Sequence, residues 1–173
     1  MTDYQDAVDN EQGWGEWLIS KIPGYSGYKE KEMRREADVL LREKLTADLK
    51  TQLTKAEDVT SQLLTGPGIA QLDDMGKGNT RLQTLIDKVK SATQGYSGFF
   101  DAIRVKEEDL EALYEFDHSI LVQVNQIGKA INVVQDAVDS GESLAKAVRG
   151  YIQAVTNLSE QYDGRREQMI ALG

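Results

Sequence analysis

The stretch EALYEFDH, residues 111–118, is the one place in this chain where residue types and spacing resemble a reactive site. Glu115 and His118 stand three apart, the Glu-x-x-His spacing by which helical bundles present a carboxylate and an imidazole to iron or manganese. Glu111, one turn earlier, adds a second carboxylate. Such a centre takes a second Glu-x-x-His pair and further glutamates. His118 is the only histidine, so that pair would have to come from another subunit across a two-fold axis, with Glu32 or Glu36 completing the set. Against metal stands the neighbourhood. Leu110, Leu113, Tyr114 and Leu121 mark the buried face of the same helix, which puts His118 at the core edge. The expectation is no metal and no cofactor, with Glu111, Glu115 and His118 as the candidate ligands should one bind.

Nucleophilic chemistry finds less. The chain has no cysteine, which excludes thiol nucleophiles, thiolate metal sites and disulfides. Its serines fall at turns and helix entries, and no Gly-x-Ser-x-Gly elbow occurs. Carboxylates are plentiful, but acids spread along helices form a solvated face more often than a catalytic pair. No enzyme is expected.

The word GYSG occurs twice, at 24–27 and 95–98. Its glycine amides could nest a phosphate. The Lys and Thr of a nucleotide loop are missing, however, and Glu30 and Asp101 follow closely and would repel an anion. Helix-entry punctuation fits better: Ser26 or Ser97 caps backbone N–H groups, the preceding glycine frees the chain direction, and Tyr25 or Tyr96 staples the first turn. After the shared word, gapless alignment keeps only Glu36 with Glu107 and Asp38 with Asp109, too little to establish a duplication.

The elements that must carry these residues read as helices. With 173 residues the chain fits one domain with a core of its own. Residues 1–12 are acidic, with little to bury, and read as a mobile tail. Residues 13–27 hold both tryptophans: Trp14, Trp17, Leu18 and Ile22 lie on a short helix that Pro23 ends, with Tyr25 and Tyr28 beyond it. Residues 28–173 are the helical domain. A long helix from Tyr28 carries Met33, Ala37, Leu40, Leu41, Leu45, Leu49, Leu53, Ala56, Val59 and Leu63 at steps of three and four, and TGPG at 65–68 stops it. Asp38 to Arg42 reads as a stabilising pair on its solvated side. DDMGKGN at 73–79 reads as a turn, after which Thr80 caps a shorter helix running to Gly95. A third helix bears Ile120, Leu121, Val124, Ile127, Ile131, Val134 and Val138, and DSGES at 139–143 turns it. The fourth shows a heptad seam, Leu144, Val148, Tyr151, Val155, Leu158, Tyr162, Arg165 and Met169. No strand pattern occurs.

The expected fold is therefore all-α: an antiparallel up-down four-helix bundle with long helices and a short aromatic-rich N-terminal segment. The shorter second helix would leave a groove that Trp14–Ile22 could fill. The formal net charge of −9 argues against a nucleic-acid partner and, less strongly, against anionic lipid. No run approaches the ~20 apolar residues of a membrane span, and the acidic start is unlike a secretory signal, so a cytoplasmic protein is expected. What remains is interaction with a protein partner or with itself. The third helix is apolar beyond one stripe, so it is either central in the bundle or covered on its second side by another subunit; for the second case Ile120, Val124, Ile127 and Ile131 are the interface residues, with Gly128 and Ala130 allowing close approach, and internal core is the more frequent use of such residues. Asn125 and Asn132, one heptad apart, would set register in such a seam or else face water. Trp14, Trp17, Leu18, Ile22, Tyr25 and Tyr28 form the other adhesive set. The function expected is that of a non-catalytic structural or adaptor protein that self-associates or docks a partner. A membrane-surface role through Trp14–Ile22 and a carboxylate/histidine metal bundle are the alternatives.

Overall fold

The computed structural model of the chain describes residues 31–65, 67–92 and 107–171, with side chains from 39 in the first helix, from 116 (117 excepted) in the third, and to 164 in the fourth. The acidic tail, the segment 13–27 with all six of its nominated aromatic and apolar residues through Tyr28, and both GYSG words lie outside these residues. Among the described residues the fold is all-α, without a strand. Its elements are α1 (Lys31–Leu63), a 3₁₀ turn (Pro67–Gln71), α2 (Leu72–Ser91), α3 (Glu107–Ser140) and α4 (Leu144–Ala171). No described helix is long and apolar enough to cross a membrane.

The apolar stripes read from spacing are the ones that pack. On α1, Leu41, Leu45, Leu49, Leu53, Ala56, Val59 and Leu63 are buried; on α4, Val148, Tyr151, Val155, Leu158 and Tyr162 are buried. With Met75, Leu82, Leu85, Ile86 and Val89 of α2 and the α3 stripe they make one continuous core. The short link 64–71 folds α1 back on α2, and Gly141, with φ of +74°, and Ser143, with φ of +59°, make the sharp reversal from α3 to α4. There Gly141 N–H closes α3 on the Ala137 carbonyl at 3.0 Å, and the Ser143 carbonyl accepts from Lys146 and Ala147 to open α4.

Each helix packs on two others: α1 on α2 and α3, and α4 on α2 and α3. Side-chain pairs give the directions. Gln52 lies against Gly128 and Gln62 bonds Gln135, so residue numbers rise together along α1 and α3. Asn79 with Tyr151, Arg81 with Thr156 and Lys88 with Asp163 show the same for α2 and α4. Antiparallel packing is thus found within each hairpin, while the hairpins meet through parallel pairs. The physical reason lies in the links. Those at 64–71 and 141–143 are short enough to force reversal within each hairpin.

Two local readings are corrected. DDMGKGN is not a turn: α2 begins at Leu72 and runs through both glycines, and Thr80, far from capping, donates its hydroxyl to the Gly76 carbonyl at 2.9 Å. The first turn is instead favoured by Asp73 and Asp74 at the positive helix end, with Lys77 bridging them at 2.7 and 2.9 Å. Tertiary fit explains Gly78. A Cβ there would stand 2.5 Å from Tyr151 Cε1, so the glycine is the notch that admits the ring. The second correction is Arg42, which is 5 % exposed and does not belong to a solvated face.

The two glycines of α2 should respond oppositely to the same substitution. Gly78→Ala forces the ring out of its notch and should cost about 1–3 kcal/mol. Gly76→Ala, with open space around the new methyl group, should gain about 0.5–1 kcal/mol. Urea unfolding of the two variants reads both signs.

Candidate functional site

The densest polar arrangement among the described residues runs from Tyr151 in the core to half-buried Asn79 and Thr60 at its edge and spans three helices. Tyr151 of α4, fully buried, donates its hydroxyl to Asn79 Oδ1 of α2 at 3.0 Å. The Asn79 amide donates in turn to Thr60 Oγ1 of α1 at 3.0 Å, and the Thr60 hydroxyl donates to the Ala56 carbonyl at 2.6 Å. Each donor finds an acceptor, which is the condition on which a buried polar chain is tolerated. Burial raises the Tyr151 pKa well above its ordinary value, and the Glu57 carboxylate raises it further. The phenol therefore stays protonated and serves as a hydrogen-bond donor held away from solvent. Its chemistry is that of a clasp.

A second, half-buried polar contact joins α4 to α3. Gln161 of α4 donates to Ser119 Oγ of α3 at 2.5 Å, and the Ser119 hydroxyl donates back to the Phe116 carbonyl at 2.6 Å. Beside it His118 is half-buried, with Nε2 enclosed and without a hydrogen-bond partner among the described residues. Glu111 and Glu115 lie on α3, but their side chains fall outside the described ones. Among the described residues no group of three or more metal-ligating side chains converges. Along the outside of α2 runs a shallow open trough lined by Ile69, Leu72, Asp73, Gly76, Lys77, Thr80 and Arg81. Its two cations are already engaged, Lys77 with Asp73 and Asp74 and Arg81 with Thr156 Oγ1 at 2.9 Å.

The nominated stripe on α3 lies in the core, one of the two places its apolar breadth allows. Ile120, Val124, Ile127 and Ile131 are each 2 % exposed or less and are packed against the chain's own helices. The reason is geometric. With two packed neighbours, α3 buries more than one stripe without any second subunit. Gly128 does permit close approach, but to Gln52 of α1: a Cβ at 128 would stand 2.9 Å from the Gln52 side-chain oxygen. Asn125 and Asn132 are exposed. The apolar residue that α3 does turn outward is Val133.

Spacing signalled Tyr151 as a seam residue and missed its two partners. Asn79 was hidden in a run that composition assigns to a turn, and Thr60 has one signal only, its place one residue after the buried Val59.

No protein-family model, curated protein or solved structure matches the chain.

Tyr151→Phe keeps the ring and strands Asn79, so it should cost about 1–3 kcal/mol at neutral pH. The sign with pH follows from the raised pKa. The stability contributed by the protonated phenol is complete below the ordinary value of 10.0 and falls as pH climbs from there toward the higher folded-state pKa. The gap between parent and variant in urea midpoint should therefore be widest near neutrality and narrow above pH ~10.

Proposed function

We propose that this chain is a non-catalytic structural or adaptor protein: a four-helix bundle of up-down hairpins that self-associates and holds its aromatic N-terminal segment for a protein partner. The observation that carries this reading is how the polar side chains of the core are used. Tyr151, Asn79 and Thr60 tie three helices together, and Gln161 with Ser119 ties α4 to α3. On the surface, Gln62 with Gln135 and Lys88 with Asp163 tie one hairpin to the other. Such cross-links make a body of fixed shape, which suits display better than turnover. The partner is a protein rather than a nucleic acid, since a formal charge of −9 repels phosphate.

In this reading Trp14, Trp17, Leu18, Ile22, Tyr25 and Tyr28 are the residues offered to the partner, while Ile120, Val124, Ile127 and Ile131 support the platform from within. Trp14 and Trp17 are the only tryptophans, so the intrinsic fluorescence of the full chain reports on that segment alone. The expected emission is red-shifted and quenched by iodide, because aromatic anchors kept for a partner stand in water until it arrives. A blue-shifted spectrum that iodide leaves untouched would remove the display role. Self-association is read separately, by light scattering on the eluting protein, where a mass above the 19.3 kDa of one chain is expected.

A further inference from the structure

The end of the bundle that holds both short links leaves apolar side chains in water. Leu63 closes α1 inside the core, while Leu64 beside it is 58 % exposed. The 3₁₀ turn that follows packs on α1, α2 and α4. Gly68 makes that packing possible, since a Cβ there would stand 2.5 Å from Leu63 Cδ2 and 3.1 Å from Leu144 Cδ2. With Gly68 pressed inward, Ile69 turns out and is 62 % exposed. It opens the trough that runs along α2 past half-buried Leu72, and Gly76 adds no side chain to that lining.

Charge of one sign surrounds this corner. Within two helical turns of the links, residues 57–78 and 134–150, seven carboxylates stand against three cations, a formal −4 out of the chain's −9. Neither α1 nor α3 has a basic residue in its last turn. Lys77, one of the three cations, is already held by Asp73 and Asp74. The second link brings its acids to the same place: Gln135, which bonds Gln62 of α1, also donates to Asp139 at 3.0 Å. An apolar surface ringed by carboxylates selects against nucleic acid and anionic lipid. It selects equally against the chain's own residues 1–28, which hold five carboxylates and one lysine, and against the same end of a second copy. What complements it is an apolar face flanked by Lys or Arg.

We propose that Leu64, Ile69 and Leu72 form a docking surface for a basic amphipathic helix of a partner protein, with its apolar face on these residues and its cations toward Asp73, Asp139 and Glu142. The inference shares with the function above only the premise that the partner is a protein, and it places the contact on the bundle rather than on residues 13–28.

The probe is a dye-labelled helical peptide of leucine and lysine, titrated with the full-length chain and read by fluorescence anisotropy. The same peptide with glutamate for lysine is the control. The lysine peptide should bind, more weakly as salt is raised, and the glutamate peptide should not. Leu64→Ser with Ile69→Ser should weaken binding about tenfold. Asp139→Lys with Glu142→Lys should do the same, whereas Glu43→Lys with Glu160→Lys, an equal change of net charge elsewhere on the surface, should leave affinity within about twofold. All six side chains are exposed, and an unchanged urea midpoint confirms the fold of each variant. Equal losses in the two charge pairs would make net charge the cause and overturn the docking surface. So would a parent chain that does not bind the lysine peptide, or a serine variant that binds it unchanged. Each of these failures leaves the display of Trp14 and Trp17 standing, since their fluorescence reads it separately.

Discussion

A phenol hydroxyl sealed in a hydrophobic core has to find an acceptor, and much of this structure follows from where it finds one. The Tyr151 ring reaches between helices, so α2 must carry a residue without a side chain opposite it and an acceptor immediately beyond; Gly78 and Asn79 supply these in sequence. Asn79 then needs an acceptor for its own amide and takes Thr60. Once those three residues are joined, the heights of α1, α2 and α4 along the bundle are set relative to one another. An apolar core alone would leave them freer, because aliphatic side chains tolerate sliding by a turn better than a hydrogen-bonded chain does. The apolar layers supply most of the driving force for assembly, and the clasp supplies the register.

The sequence made the stripes legible and left their pairing obscure. Leu45, Leu49, Val59 and Leu63 on α1, and Val148, Val155 and Leu158 on α4, are buried where their spacing places them. Periodicity reports that a helix has an inner face. It does not report which neighbour meets that face, so the parallel meeting of α1 with α3 and of α2 with α4 had no signal in the residues themselves. Local composition misled at 73–79, because three glycine or asparagine residues among charges have the look of a turn. Two of them answer to Tyr151, a residue some seventy positions away that no local window contains. Arg42 misled for the related reason that a charge at a pairing distance from Asp38 reads as surface, whereas here it is buried. The candidate site was legible in one member only, Tyr151. Of the residues nominated for contact on α3, those with the strongest apolar signal were the ones the core consumes.

The division into two hairpins also organises the polar surface. Within a hairpin the described ion pairs are close in sequence, as with Lys44 and Asp48 or Lys77 and Asp73. Between hairpins the pairs are seventy or more positions apart: Gln62 with Gln135 and Tyr151 with Asn79 are neutral, whereas Arg81 on Thr156 and Lys88 on Asp163 each use a charge. Exposed ion pairs are weak and screened by salt. The neutral pairs of the seam between the hairpins hold its registration across a wide range of ionic strength.

The parallel meeting of equivalent helices has an electrical consequence. Each helix end carries roughly half an elementary charge, positive at the N-terminus and negative at the C-terminus. In a ring whose neighbours all alternate in direction, these half-charges alternate around each end and cancel at short range. Here α1 and α3 finish side by side at the end of the molecule that holds both turns, and α2 and α4 begin beside them. That end is therefore divided into a negative half and a positive half. Asp73 and Asp74 in the first turn of α2 offset part of this. What remains there is a dipole lying across the bundle, so a charged group approaching that end meets a field that prefers one side.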